Sequence, residues 1–179
     1  MAALLPASLH TTGTLPLGTH RVPRAACSFP PYPAGATAHT FGHKELLRVD
    51  GRPQFAEVAI LRLSEEAGWQ GRWVETYGKP ALRPGFWRAW HPHGPSAQVQ
   101  VPIADPGVNE RLHAIAAANG NTFGGCWDVV AWKDGRLVFA ESKRKGKDRI
   151  RATQVRWLEA ALRCGCALED FMVVEWTVG

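Results

Sequence analysis

The chain has 179 residues, 45% of them apolar and 21% charged, which suffices for one buried core without disulfide or metal staples. The uncharged run from Met1 to His20 is broken by Pro6 and Pro16, which excludes a membrane span there, and it lacks the basic start and unbroken apolar stretch of a secretory signal. Four Cys do not suggest a disulfide scaffold, a cytoplasmic protein is expected, and a net charge of +5 allows an acidic partner without naming one.

Six of the 13 Pro fall within residues 1–40, and the first acidic residue is Glu45. Residues 1–50 therefore read as a poorly ordered Pro/Ala-rich leader, and residues 51–179 as a single folded domain. Pro53 to Ala67 reads as the first helix, with Pro53 at its first position and Gly68 as its stop. At 100° per residue, Ala56, Ile60, Leu61, Leu63 and Ala67 share one arc, and Glu57 lies inside it. A carboxylate in an apolar stripe is costly unless it is paired or binds metal. Residues 70–77 suit a strand. Residues 78–106 form a Pro/Gly-rich insertion with room for a short strand at Gln98–Ile103. Trp87 and Trp90 in this insertion read as anchors to the core, with base stacking as the alternative. His91, His93 and His113 do not have the spacing of a zinc site. Residues 107–118 read as a helix ending at Asn119-Gly120.

The strongest local signal is Cys126 to Lys143. Two β-rich runs flank Asp134-Gly135, a two-residue hairpin turn. With that turn Lys133 faces Arg136, and continuing the register sets Asp128 opposite Glu141. Directly opposed residues share a face, as does Lys143, two residues beyond Glu141. Val130, Trp132, Leu137 and Phe139 fill the rest of that face, while Val129, Ala131, Val138 and Ala140 fill the other. Apolar residues on both faces predict a central hairpin covered on both sides. Two opposed carboxylates repel unless they share a proton or hold a cation, and a hard divalent ion such as Mg²⁺ suits two carboxylates plus water. A structural Asp–Lys–Glu cluster at a solvated sheet edge is the other reading.

Beyond the hairpin, a basic run leads into a helix expected to start near Asp148 and end at Arg163, with Gly165 as its stop. Gln154 lies in its apolar stripe between Ile150 and Trp157, and an inward polar residue needs a partner. Cys164 and Cys166 read as structural, and residues 169–177 as a final buried strand. From Glu141 to Arg163 the chain carries eight cations against three anions, an excess equal to the net charge of the whole chain.

Gly125-Cys-Trp-Asp128, Glu141-Ser-Lys143, Gln154 with Trp157-Leu158 and Gly165, and Phe171-Met-Val-Val174 together resemble the VRR-NUC branch of the PD-(D/E)XK nuclease superfamily. The close match spans residues 124–176, and a looser one begins at the Glu57 helix. Trp127 stands where the superfamily name has Pro, at a position that varies. The resemblance implies an α/β fold with a restriction-endonuclease-like core: a helix, a three-stranded meander, a helix and a further strand in a mixed sheet flanked by helices. It implies a Mg²⁺- or Mn²⁺-dependent deoxyribonuclease, a hydrolase acting on ester bonds, with Asp128, Glu141, the Ser142 carbonyl and Glu57 around the metal. Lys143 would activate water and stabilise charge, and Gln154 would support the site. The basic run Arg144, Lys145, Lys147, Arg149 and Arg151 is the expected DNA contact. Branched or single-stranded DNA, a homodimer, and a place in repair, phage replication or restriction are what such proteins suggest. An inactive or regulatory nucleic-acid-binding module of the same fold is the alternative.

Overall fold

The computed structural model describes residues 4–6, 11–33, 40, 44–79 and 81–179. It is a mixed α/β protein. Its sheet strands are β1 (Thr11–Leu17), β2 (His20–Phe29), β5 (Gln70–Glu75), β6 (Gly85–Trp87), β7 (Val129–Lys133), β8 (Arg136–Arg144) and β9 (Phe171–Val178). A separate hairpin joins β3 (Leu47–Val49) to β4 (Arg52–Gln54), and the α-helices among the described residues are α1 (Ala56–Glu66), α2 (Pro106–Ala118) and α3 (Ala152–Arg163). Seven strands form one sheet in the order β1-β2-β9-β8-β7-β5-β6. The β5-β7-β8 segment is an antiparallel meander, whereas β8, β9 and β2 run parallel.

The central hairpin has the register that its sequence predicts. Lys133 pairs with Arg136 and Val129 with Ala140, around a turn in which Asp134 and Gly135 both have positive φ. Each face is buried in its own core. Val130, Trp132, Leu137 and Phe139 pack with α2 and α3 residues such as Leu112, Trp157 and Leu158. Val129, Ala131, Val138 and Ala140 pack with α1 residues Ala56, Ile60 and Leu61. The two layers explain why neither face of the hairpin alternates with polar residues.

The expected disordered leader is corrected for residues 11–29. They form β1 and β2, and β2 lies inside the sheet, paired along six positions from Arg24–Val173 to Phe29–Val178 with the last strand. Val22 and Ala25 are fully buried, Val22 in the core on the α2-α3 side and Ala25 with Leu4 and Leu5 in the core on the α1 side, and Arg24 meets Glu175 at 3.4 Å. The Thr-rich β1 and a Pro in each strand hid this pairing from composition, because β1 is an edge strand and needs few apolar residues. Its local signal is the turn Gly18-Thr19 between Leu17 and His20, with Gly18 at φ +61. Val22→Asp should therefore lower stability by about 3–5 kcal/mol, the cost of an uncompensated buried charge, as read from urea unfolding. An unchanged midpoint would place residues 11–29 outside the cooperative unit.

The first helix also starts later than expected. Pro53 belongs to β4, opposite Arg48, across a second Asp-Gly turn, Asp50-Gly51, with positive φ at both residues. The C-terminal helix begins at Ala152 instead of near Asp148, whose carboxylate closes the preceding turn by accepting the Arg144 N–H at 2.9 Å. Within the insertion, Gln98–Ile103 is not a strand, although the Val101 N–H reaches the Phe86 carbonyl at 2.8 Å beside β6. Trp87 and Trp90 are anchors, as expected: both are buried with Phe55, Val58 and Trp73. Gln54 clasps the Trp90 backbone, accepting its N–H at 2.6 Å and donating to its carbonyl at 3.1 Å.

Candidate functional site

β8 extends past the last paired residue of β7, so Glu141, Ser142 and Lys143 stand at an opening edge of the sheet. There a cleft of about 1040 Å³ is lined by Glu57, Glu75, Asp128, Glu141, Lys143 and Gln154, among others. The first turns of α1 and α3 reach this cleft from opposite faces of the sheet. Each presents its partially positive N-terminal end, which favours anions between them.

Asp128 and Glu141 are adjacent, as the register predicted. The Asp128 N–H donates to Glu141 Oε2 at 3.3 Å, and the Ser142 N–H donates to Asp128 Oδ2 at 3.0 Å. Since N–H and C=O of one strand residue point to the same side, the Ser142 carbonyl is turned toward the same edge. Ser142 Oγ accepts the Trp176 indole N–H at 3.0 Å, tying this point of β8 to β9. Glu141 is buried, and its Oε1 accepts from Lys143 Nζ at 2.7 Å and from Gln154 Nε2. Gln154 has two tasks, since its Oε1 also accepts the Arg151 N–H at 2.9 Å and so closes the first turn of α3. The partner expected for its inward amide is thus the carboxylate cluster itself.

Desolvation pushes the Asp128 carboxyl well above the usual range, and repulsion from Glu141 and Glu57 adds to it. Glu141 is also raised by desolvation, against the opposing pull of Lys143. The Asp128 N–H to Glu141 bond keeps the two side chains close, so each feels the other's charge state. Among the described residues, no three His, Cys, Asp or Glu side chains gather as a ready-made metal cage. The donor chemistry still fits a hard divalent ion: Mg²⁺ is commonly held by one or two carboxylates and completes its shell with water. Two side-by-side buried carboxylates, raised chiefly by desolvation, are relieved by such a charge. Asp128, Glu141 and the Ser142 carbonyl could hold it.

Glu57 lines the same cleft from α1 and is buried, but its carboxylate is already paired with Lys44. Lys44 was missed by sequence reading because it falls in the presumed leader, just before β3. Glu75, at the end of β5, is the other unforeseen acid; desolvation raises it, and its Oε1 accepts the Tyr77 N–H at 2.7 Å. Its signal was its place at the end of a strand antiparallel to β7, which puts it at the same sheet edge as Asp128.

Of the five basic residues proposed to contact nucleic acid, Arg144, Lys147, Arg149 and Arg151 line the cleft and Lys145 does not. Arg144 is engaged with Glu45 at 2.7 Å and lies over the Trp176 ring. Lys147 and Arg149 are exposed, forming a positive rim beside the carboxylates. His91 and His93 lie 5.4 Å apart by ring centroid and do not line the cleft. Cys164 and Cys166 are free thiols.

No protein-family model matches the chain, and no curated protein or solved structure matches it.

Proposed function

We propose that the chain is a metal-dependent nuclease that hydrolyses phosphodiester bonds of DNA, an ester hydrolase of the PD-(D/E)XK type. The observation that carries this reading is the cluster of Asp128, Glu141 and Lys143 at the open end of the central hairpin, with Gln154 locked onto Glu141. The order α1, β5-β7-β8 meander, α3, β9 in a mixed sheet supports it, since the superfamily resemblance implies that order. The β1-β2 hairpin and β6 extend that core at its two edges.

Mg²⁺ or Mn²⁺ held by Asp128, Glu141 and the Ser142 carbonyl, with Glu57 nearby, would polarise a phosphoryl oxygen and acidify water beside it. The protein supplies the rest. Lys143 sets a fixed positive charge where negative charge builds on the phosphorus oxygens. Gln154 restrains Glu141 so that one carboxylate geometry persists through the reaction. Lys147, Arg149 and Arg151 hold the phosphate backbone over the acids, and the exposed Tyr77 ring lies at the cleft mouth, where an unpaired base could stack. Cations along the cleft suit phosphates more than base edges, which favours recognition of DNA structure, as in single-stranded or branched substrates.

The decisive experiment incubates the full chain with single-stranded, duplex and branched DNA in Mg²⁺, Mn²⁺ or EDTA, with Asp128→Ala and Lys143→Ala proteins in parallel to expose contaminating activity. Cleavage by the parent alone, abolished by EDTA, is the expected result. Salt-dependent binding with no cleavage of any substrate would instead identify a binding module. Lys143→Ala should keep Mn²⁺ binding by calorimetry and lose about 10²–10³-fold in rate, the usual scale for one charge-stabilising donor. An undiminished rate would remove Lys143 from this role.

A further inference from the structure

Lys44 occupies a built position. Its ammonium bonds to Glu57 Oε1 and lies 5.8 Å from the Phe55 ring centroid and 5.7 Å from that of Trp73. The two partners differ in freedom. The Glu57 side chain is 7% exposed and fixed in the first turn of α1, whereas Lys44 is 39% exposed on a flexible four-carbon stem. Burial disfavours the charged amine, yet attraction from Glu57, Asp128 and Glu75 outweighs it. The ammonium is thus bonded to Glu57 and attracted by Asp128, two of the acids that would surround a metal ion.

We propose that Lys44 is a displaceable counter-cation of the cleft: it neutralises Glu57 in the metal-free protein, and it releases Glu57 and turns to a substrate phosphate when a divalent ion binds the acids. The inference rests on the metal-dependent reading above. A buried carboxylate without a partner is costly, and Lys44 removes that cost while the site holds no other cation. An ion that also draws on Glu57 must compete with this pair. A charge-assisted hydrogen bond is worth a factor of about 10–100 in affinity, so the pair weakens metal binding by up to that amount. Once released, the amine remains in the cleft that Lys143, Lys147 and Arg149 line. Metal and substrate are then linked: the ion frees a cation for the phosphate, and Glu57 cannot hold both charges equally well.

The test is calorimetric titration of Mn²⁺ into the full-length parent, Lys44→Met and Lys44→Arg, followed by single-stranded DNA cleavage at saturating Mn²⁺. Lys44→Met keeps the stem against Phe55 and Trp73 but removes the charge. It should bind Mn²⁺ about tenfold more tightly than the parent, while Lys44→Arg should not gain affinity. At saturating Mn²⁺, Lys44→Met should raise KM several-fold with kcat changed by less than about twofold. If Lys44→Met lacks a cooperative melting transition, Lys44→Gln replaces it and should shift both quantities in the same directions. Equal Mn²⁺ affinity in parent and uncharged variant overturns the role of Lys44 and leaves the metal site standing. Absence of Mn²⁺ binding in every protein overturns the metal reading and this inference with it. Tighter Mn²⁺ binding with unchanged KM overturns the transfer to phosphate.

Discussion

Asp128→Asn should abolish metal-dependent DNA cleavage, by about 10³-fold or more, and at the same time make the metal-free protein more stable. Both effects come from one feature, two carboxyls forced together at the end of the hairpin. The amide keeps an oxygen for the Ser142 N–H, so the local geometry survives, but it removes the charge that repels Glu141 and Glu57. The relief should be about 1 kcal/mol, or roughly 2–4 °C in melting temperature for a protein of this size. The sign with pH follows from linkage. Asp128 and Glu141 have raised folded-state pKa values, so the folded protein holds their protons more tightly than the unfolded chain does. Their unfavourable contribution is therefore absent below the unfolded carboxyl range and grows as pH rises from there through the raised values. In EDTA the gain of Asp128→Asn over the parent should accordingly be larger at pH 8 than at pH 4. In Mn²⁺ the order should reverse, because only the parent is stabilised by the ion. An Asp128→Asn protein that melts below the parent in EDTA at pH 8 would make the pair a structural brace and argue against a site strained for a cation.

Gly125→Ala should be the most damaging single-methyl substitution at the site. Gly125 has φ +89, and a Cβ there would fall 2.1 Å from the Thr153 carbonyl oxygen. Two costs combine: a left-handed conformation unfavourable to Ala, and a clash with backbone in the first turn of α3. Loss of about 3–5 kcal/mol is expected in urea unfolding. The clash also acts on function, since pushing Thr153 away moves Gln154, whose carbonyl accepts the Trp127 indole N–H at 3.2 Å and whose amide holds Glu141. Any folded fraction should therefore bind Mn²⁺ more weakly than the parent, a change that general destabilisation would not produce once the folded fraction is accounted for. Parent-like stability would mean that α3 can retreat from the Gly125 turn without cost.

Several of these relations were legible without coordinates because they are local. The Asp134-Gly135 turn determines which residues of β7 and β8 face each other, and that juxtaposes Asp128 and Glu141 by strand periodicity alone. Glu57 and Gln154 were each conspicuous as polar residues on an apolar helical stripe, and both are buried at the cleft. The same turn signal is present at Asp50-Gly51, where it makes the β3-β4 hairpin, although Pro53 by itself reads as a helix start. Charge density marked the segment from Lys143 to Arg151, though not that Lys145 would turn from the cleft or that Arg144 would be drawn to Glu45.

What the chain order alone determined is therefore the hairpin, its two apolar faces, the acid pair at its end and the helix that brings Gln154. Tertiary structure alone decided the rest. Residues 11–29 are ordered because β9 offers β2 a parallel partner some 150 residues away in the chain, a pairing that no local periodicity encodes. Lys44 meets Glu57 for a similar reason: electrostatic attraction acts through space, and the position of the amine depends on how β3 and α1 pack, not on its spacing from any acid in the sequence.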